Sequence, residues 1–389
     1  MQKSTARTKI IFFGTPEFAA PALTALHGAG FSIAAVVTQP DKPVGRGLKV
    51  EAPPVKIKAQ ELGLKVLQPK TLRGVVAGLQ PADNIERRLK PAATIIDELK
   101  SLHAEVAVVV AYGKIFPREV LELFPRGMVN VHPSLLPKYR GSSPIQVAIL
   151  NGDTETGVTI MLLDEEMDHG PVLTQHVVQI SPSPDLQSPS PEGVEDGPSE
   201  RRPRGGQGEG RHRTGSELSK LLAHEGAKLL VETLPQYLGG KIKPKPQDHK
   251  KATFTKLLER EDGKVDWQKS AEYIERMARA YDLWPGTWTQ WEGKRLKVLK
   301  ASLLHPTIGC ASNATPGYVW KADTETLSPE QAQRVEWPST SSGNKLGQLA
   351  VNCNPGSIIL EQLQLEGKKA MSGAEFLRGY PKFLGSILA

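Results

Sequence analysis

Two residues, Asn130 and His132, sit where an apolar run gives way to polar, proline-punctuated sequence in Val129-Asn-Val-His-Pro-Ser-Leu-Leu-Pro-Lys-Tyr-Arg-Gly141. If the run is a strand, its side-chain repeat of two puts the carboxamide and the imidazole on one face near the strand's carboxyl end. Acyl transfer to an amine needs such a pair: an amide that donates to a developing negative oxygen, and an imidazole that relays a proton. A carboxylate normally orients such an imidazole. The candidate is Asp168, in the loop Glu165-Glu-Met-Asp-His-Gly170, where Gly170 is expected to permit a tight bend. Its neighbour His169 is an alternative base and fits less well. Taken alone, an Asn-x-His at a strand edge is most often structural, so its chemical reading depends on the elements that position it.

The amino-terminal part alternates short β-branched runs with helical ones: Lys9 to Phe13, Ala19 to Leu26, Ile33 to Thr38, then Glu105 to Val110 and Met128 to Val131. This rhythm predicts β-α-β units and an α/β class, with a Rossmann-like, open and mostly parallel sheet. Such sheets bind ligands outside the carboxyl ends of their strands, which points to the loops opening at Gly14, Thr38, Ala111 and His132. Gly157 to Leu163 and Val172 to Ile180 read as two more strands, joined by the acidic loop that carries Asp168. Capping-box spacing at Thr214 and Glu217, followed by Leu218, Leu221, Leu222, Leu229 and Leu230, predicts a helix to about Leu234.

Two tracts interrupt the pattern, residues 73–94 and 181–213, and both are expected as insertions. The second is rich in Pro, Ser, Gly and Arg, with too few large apolar residues to offset the entropy of ordering. Lys241-Ile-Lys-Pro-Lys-Pro246 predicts an extended connection. The expected organisation is a catalytic domain at 1–240, a linker at 241–251 and a second domain at 252–389. In the last of these, Leu296 to Ala301, Gly317 to Trp320, Leu349 to Asn352 and Ser357 to Leu363 are short strand-like runs broken by Gly, Pro and Asn. That is the pattern of a small, OB-like β-barrel.

Composition excludes several classes. Within 389 residues no stretch approaches the roughly 20 apolar residues of a membrane span. The two cysteines, Cys310 and Cys353, are too few for a disulfide framework or a structural zinc site, so no metal and a reducing, cytoplasmic setting are expected. The apolar run at Ile10 comes too early to leave room for a signal peptide. Gly14-Thr-Pro16 lacks the G-x-G-x-x-G of a dinucleotide site, which argues against a dehydrogenase. Net charge is +7, and residues 241–300 hold 15 Lys/Arg against 9 Asp/Glu, which favours a polyanionic partner at the carboxyl-terminal part.

Phe13-Gly-Thr-Pro-Glu-Phe-Ala19, Thr38-Gln-Pro-Asp-Lys-Pro-Val-Gly-Arg-Gly47, Val110-Ala-Tyr-Gly113 and, above all, Asn130 to Gln146 resemble the folate-dependent formyltransferase family. The resemblance covers most of the chain. It implies a Rossmann-like catalytic domain with Asn130, His132 and Asp168 at the catalytic positions. It also implies 10-formyltetrahydrofolate as the formyl donor, contacted by Ser134, Leu135, Leu136 and Pro137, and a pterin site between the loops at Ala111 to Ile115 and Leu163 to Asp168. Arg46, taken alone, is a solvated basic loop tip; the resemblance makes it a contact for the aminoacyl end of a tRNA.

Members of the family differ in acceptor: a purine-precursor ribonucleotide, an amino sugar nucleotide or methionyl-tRNA. Glu261-Asp-Gly-Lys-Val-Asp-Trp267, Arg279-Ala-Tyr281, Trp284-Pro-Gly286, Gly367-Lys-Lys-Ala-Met371 and Glu375-Phe-Leu-Arg-Gly379 resemble the tRNA-acting members. This implies initiator methionyl-tRNA as partner and formylmethionyl-tRNA as product. A monomer is expected. The sequence departs from the family at Ser142-Ser143, where alanines are commoner, and at Leu283, where proline is usual. Neither departure removes a catalytic group. The alternatives are an enzyme acting on an amino sugar nucleotide and a catalytically inactive RNA-binding protein. The second has no need for Asn130, His132 and Asp168 together.

Overall fold

The computed structural model describes residues 8–44, 49–72, 95–180, 212–304, 315–322 and 348–389. Arg46, Cys310, the expected insertion at 73–94 and all but His212 and Arg213 of the one at 181–213 lie outside the described residues. The chain divides into two compact units, one of residues 1–144, 155–179 and 219–255, the other of 145–154, 180–218 and 256–389.

The strands of the first unit are, in chain order, β1 (Lys9–Gly14), β2 (Ser32–Val37), β3 (Lys42–Val44), β4 (Lys49–Glu51), β5 (Val66–Leu67), β6 (Val106–Val110), β7 (Met128–His132), β8 (Arg140–Gly141), β9 (Glu155–Leu162), β10 (Val172–Gln179) and β11 (Phe254–Thr255). Seven of them make one sheet in the order β10-β9-β7-β6-β1-β2-β5. The pairs from β7 to β5 are parallel, and β9 and β10 add an antiparallel hairpin. The sheet is therefore the mostly parallel α/β type expected from the alternating runs. Its central strands β6 and β7 are buried at every position, as a parallel strand covered on both faces must be. β3 pairs with β4, and β8 with β11, as small separate ribbons.

The crossovers run through α1 (Ala20–Gly28), α2 (Pro54–Glu61), α3 (Ile95–Ser101) and α4 (Arg118–Leu121); α5 (Pro144–Asn151) and α6 (Gly215–Leu238) follow. Phe13, Val109 and Asn130 are in register across β1, β6 and β7, so they share one face. On that face Ile11, Phe13, Val109 and Met128 pack with Leu99 of α3 and Val120 of α4. The other face of β7 carries Val131, which meets α6 at Gly226. A Cβ there would lie 2.8 Å from Val131 Cγ1 and 3.2 Å from Val158 Cγ1. Gly226→Leu should thus lower unfolding stability by about 1–3 kcal/mol through overpacking, more than the ~1 kcal/mol of helix propensity it gains. A denaturant midpoint equal to that of the parent would show that α6 has room to move.

The second unit is built on an antiparallel sheet, the form taken by the expected OB-like part. It comprises β12 (Thr287–Trp291), β13 (Lys294–Leu303), β14 (Val319–Ala322), β15 (Gln348–Asn352), β16 (Ser357–Leu365) and β17 (Met371–Ser372). The order is β12-β13-β16-β15-β14, with β17 also on β16. Helix α7 (Ala271–Ala280) starts at Ser270, whose hydroxyl accepts from Tyr273 N, and buries Ile274, Met277 and Ala278. Helix α8 (Gly373–Gly379) opens with a Ser372–Glu375 capping box and buries Phe376, which meets Trp291 edge to face. Among the described residues no helix is long and apolar enough to cross a membrane.

Candidate active site

Strand β7 delivers Asn130 and His132 to one face, 8% and 4% exposed. Asn130 stands in register between Val109 and Met161, both apolar, and no described residue hydrogen-bonds its carboxamide. The His132 ring is engaged at both nitrogens. Nε2 lies 3.0 Å from the Tyr139 carbonyl oxygen, and Nδ1 lies 3.5 Å from Asp168 Oδ1. A carbonyl can only accept, so Nε2 carries a hydrogen whenever that contact is made. Nδ1 then faces the carboxylate with a lone pair if the ring is neutral, or donates towards it if the ring is charged.

The Asp168 loop reaches His132 by an indirect route. Because β9 runs antiparallel to β7, its end lies beside the start of β7: Leu163 N donates to Met128 O at 2.8 Å. The loop then returns to the last residue of β7. Gly170 was expected to supply the bend, but its φ lies outside the left-handed region; it is needed because a Cβ would sit 2.1 Å from Leu162 O. The left-handed residue is Asp168 itself, with φ of 50°. Its second oxygen, Oδ2, accepts from Gly141 N at 2.8 Å. Gly141 has φ of 109°, and a Cβ on it would come within 2.3 Å of Thr255 O, so only glycine brings this N–H to the carboxylate. His169 is directed elsewhere: its Nδ1 is 2.7 Å from Asp164 Oδ2, and its ring stacks on His249 at 4.0 Å.

Ser134, Leu135, Leu136 and Pro137 form the turn that leaves β7. Its polar atoms are held by the protein: Ser134 Oγ donates to Lys138 O at 2.6 Å and Thr159 Oγ1 donates to Ser134 O at 2.6 Å. Leu136 N donates to Thr159 Oγ1 and Gln175 Nε2 donates to Leu136 O. The Leu135 side chain covers Gly157, where a Cβ would meet it at 2.4 Å. This turn presents a shaped wall, with its hydrogen-bonding groups directed inward.

Beside it, the loops after β1, β2 and β6 are tied at the point where the sheet order reverses. Thr15 Oγ1 and Gln39 Nε2 both donate to Tyr112 O, at 3.1 and 2.8 Å. Ala111, Tyr139 and Asp168, which follow β6, β7 and β9, all have positive φ, a conformation that persists only where the surroundings enforce it. Burial pushes the Tyr112 phenol up to about 12. Hydrogen bonds from Lys56 and then Gln68 hold the Asp41 carboxyl below its ordinary range, pinning the base of the segment that leads to Arg46. Among the described residues no group of three or more His, Cys, Asp or Glu side chains is placed to hold a metal ion.

Sequence reasoning missed the groups that hold these residues: Thr159 and Gln175 behind the turn, Gly141 at the carboxylate, and Arg140 with Gln247 beyond it. Each acts on a partner far along the chain, so no local spacing announces it.

Residues 8–191 match the family described as Formyl transferase, and residues 257–381 match Formyl transferase, C-terminal domain. The chain is 39% identical over 371 residues to a methionyl-tRNA formyltransferase of Chloroflexus aggregans, covering 95% of this chain and 97% of that protein. It is 45% identical over 295 residues to one of Chloroflexus aurantiacus, covering 76% and 80%. Among solved structures, an N-formyltransferase from Helicobacter canadensis with folinic acid and dTDP-3-aminofucose is similar at a TM-score of 0.53 and 16% identity, covering 91% of this chain and 98% of that one. Likeness at that identity speaks for the fold alone.

Proposed function

Since the chain belongs to the methionyl-tRNA formyltransferase family, we propose that it transfers the formyl group of 10-formyltetrahydrofolate to the amine of initiator methionyl-tRNA, giving formylmethionyl-tRNA for translation initiation. One observation carries the reading. A buried carboxamide with no described hydrogen-bond partner, Asn130, shares a strand face with an imidazole held against a carboxylate. In the reaction the amine nitrogen bonds to the formyl carbon, whose oxygen becomes anionic. The bond from that carbon to folate nitrogen then breaks, the amine loses a proton and the folate nitrogen gains one.

Asn130 stabilises the anionic oxygen by donating through Nδ2. His132 Nε2 shares in this: a developing oxyanion is a stronger acceptor than the Tyr139 carbonyl and draws the ring hydrogen from it. Asp168 stabilises the ring as it becomes charged: the proton lost by the amine is taken up by the His132–Asp168 pair and passed on to the folate nitrogen. The Ser134–Pro137 turn and the loops at Ala111 and Leu163 flank the folate. Arg46, between β3 and β4, contacts the aminoacyl end of the tRNA. We assign the chemistry to a catalytic domain at 1–240 and RNA contact to one at 252–389, joined by 241–251, in a monomer acting in the cytoplasm.

The test is formyl transfer by the purified chain to initiator methionyl-tRNA, run beside an amino sugar nucleotide. The tRNA is expected to be formylated. Its kcat/KM is expected to fall at least about tenfold between about 50 and 200 mM salt, because phosphate contacts release counterions. Formylation of the sugar nucleotide with no transfer to the tRNA would overturn the acceptor assignment.

A further inference from the structure

The left-handed backbone at Asp168 must be held by something, and the group that holds it comes from the segment ahead of β11. Gln247 is 8% exposed. Its Nε2 donates to Asp168 O at 2.8 Å and to Gly170 O at 2.7 Å. Its Oε1 accepts from Arg140 Nε at 3.2 Å and from Arg140 Nη2 at 2.8 Å. Chemistry fixes the orientation of the amide: a guanidinium has only hydrogens to offer and a carbonyl has none, so oxygen faces Arg140 and nitrogen faces the loop. Both hydrogens and both lone pairs of this side chain are used.

Arg140 is 3% exposed, and Nη2 also donates to His249 Nδ1 at 2.8 Å. Among the described residues it has no carboxylate partner, so the Gln247 oxygen is one of the few acceptors that satisfy it. The residue after Arg140 is Gly141, whose N–H holds Asp168 Oδ2. The contacts therefore close a ring. Gln247 fixes the Asp168 backbone to the Arg140 side chain, and Gly141 fixes the Asp168 carboxylate to the backbone beside Arg140. Oδ1 is left pointing at His132.

We propose that Gln247 is a positioning residue for the transfer reaction: its buried amide sets the Asp168 turn, and through it the aim of the Asp168 carboxylate at His132. The role in transfer rests on the function proposed above; the placement of Asp168 does not. A shift of about 1 Å at such a group costs up to about a hundredfold in rate, which sets the expected scale.

Gln247→Glu in the full chain separates positioning from bulk structure. Glutamate has the same shape and still accepts both Arg140 hydrogens, but it has no hydrogen for the two loop carbonyls and repels them. Gln247→Leu, which loses both sets of contacts, is run beside it. For Gln247→Glu the expected result is a thermal midpoint lowered less than that of Gln247→Leu, because the ion pair gained with Arg140 offsets part of the cost of the two unpaired carbonyls, together with a fall in kcat of about 10–100-fold with KM for folate and tRNA little changed, and faster hydrogen exchange at the Gly141 amide. The exchange measurement reads Asp168 placement without any activity. If the parent formylates no tRNA, the proposed function fails while exchange at Gly141 still decides whether Gln247 places Asp168. Parent-like kcat and Gly141 exchange in Gln247→Glu would overturn the proposal, as would joint loss of midpoint, kcat and KM matching Gln247→Leu.

Discussion

His132→Ala is expected to fold, to bind formyl-folate, and to lose about 10²–10⁴-fold in kcat, the range that a positioned proton-transfer group contributes. Folding should survive because Asp168 keeps its hydrogen bond from Gly141 N and its backbone bond to Gln247. Asp168→Asn makes the same point without removing a ring. Its oxygen must accept from Gly141 N–H, so its amino group faces His132 Nδ1, which must then accept. The ring is held in its neutral form, with the Nε2 hydrogen towards Tyr139 O and no charge beside it to stabilise a proton. Single-turnover formylation by the two single variants and the double variant closes the cycle. Residues that act as one unit lose activity once, so the double variant should be no slower than His132→Ala. Losses that multiply would mean that His132 and Asp168 act independently.

The sequence made some of this geometry legible and hid the rest, for physical reasons. The shared face of Asn130 and His132 follows from a repeat of two, and the carboxyl edge of the sheet follows from the alternation of β-branched and helical runs; both are local signals. Asp168 is different. Its place depends on β9 pairing antiparallel with β7, which short apolar runs do not encode, and on a left-handed φ taken by Asp168, where residue type alone points to the neighbouring Gly170. The groups that aim it were still less visible. Gln247 lies 107 residues from Arg140 and 79 from Asp168, in a stretch whose lysines and prolines read as a bare connection. Yet Lys245 bridges to Val172, and Gln247 is buried two residues on. A segment without a buried apolar residue can still be fixed in place when one of its amides satisfies a buried guanidinium and two buried carbonyls, since leaving any of them unpaired costs about 1–3 kcal/mol. Composition registers apolar burial and is blind to this kind of anchoring.

Asn130→Ala is the second large effect, and its signature differs from that of His132. Loss of one donor to a developing oxyanion typically lowers kcat by about 10²–10³-fold. The carboxamide makes no hydrogen bond to any described residue, so its removal orphans no described partner, and stability should change by no more than about 1 kcal/mol. KM for folate and for tRNA should stay within a few-fold of the parent, because the oxygen that Asn130 serves acquires its charge only as the new bond forms. Asn130→Asp is the sharper variant: nearly the same shape, but with a negative charge where the oxyanion develops, so its kcat should fall at least as far as that of the alanine variant. If instead KM rises and kcat holds, the amide serves ground-state binding of the formyl oxygen and adds nothing specific to the transition state. Transition-state stabilisation would then have to come from His132 alone, and His132→Ala should fall to the bottom of its expected range.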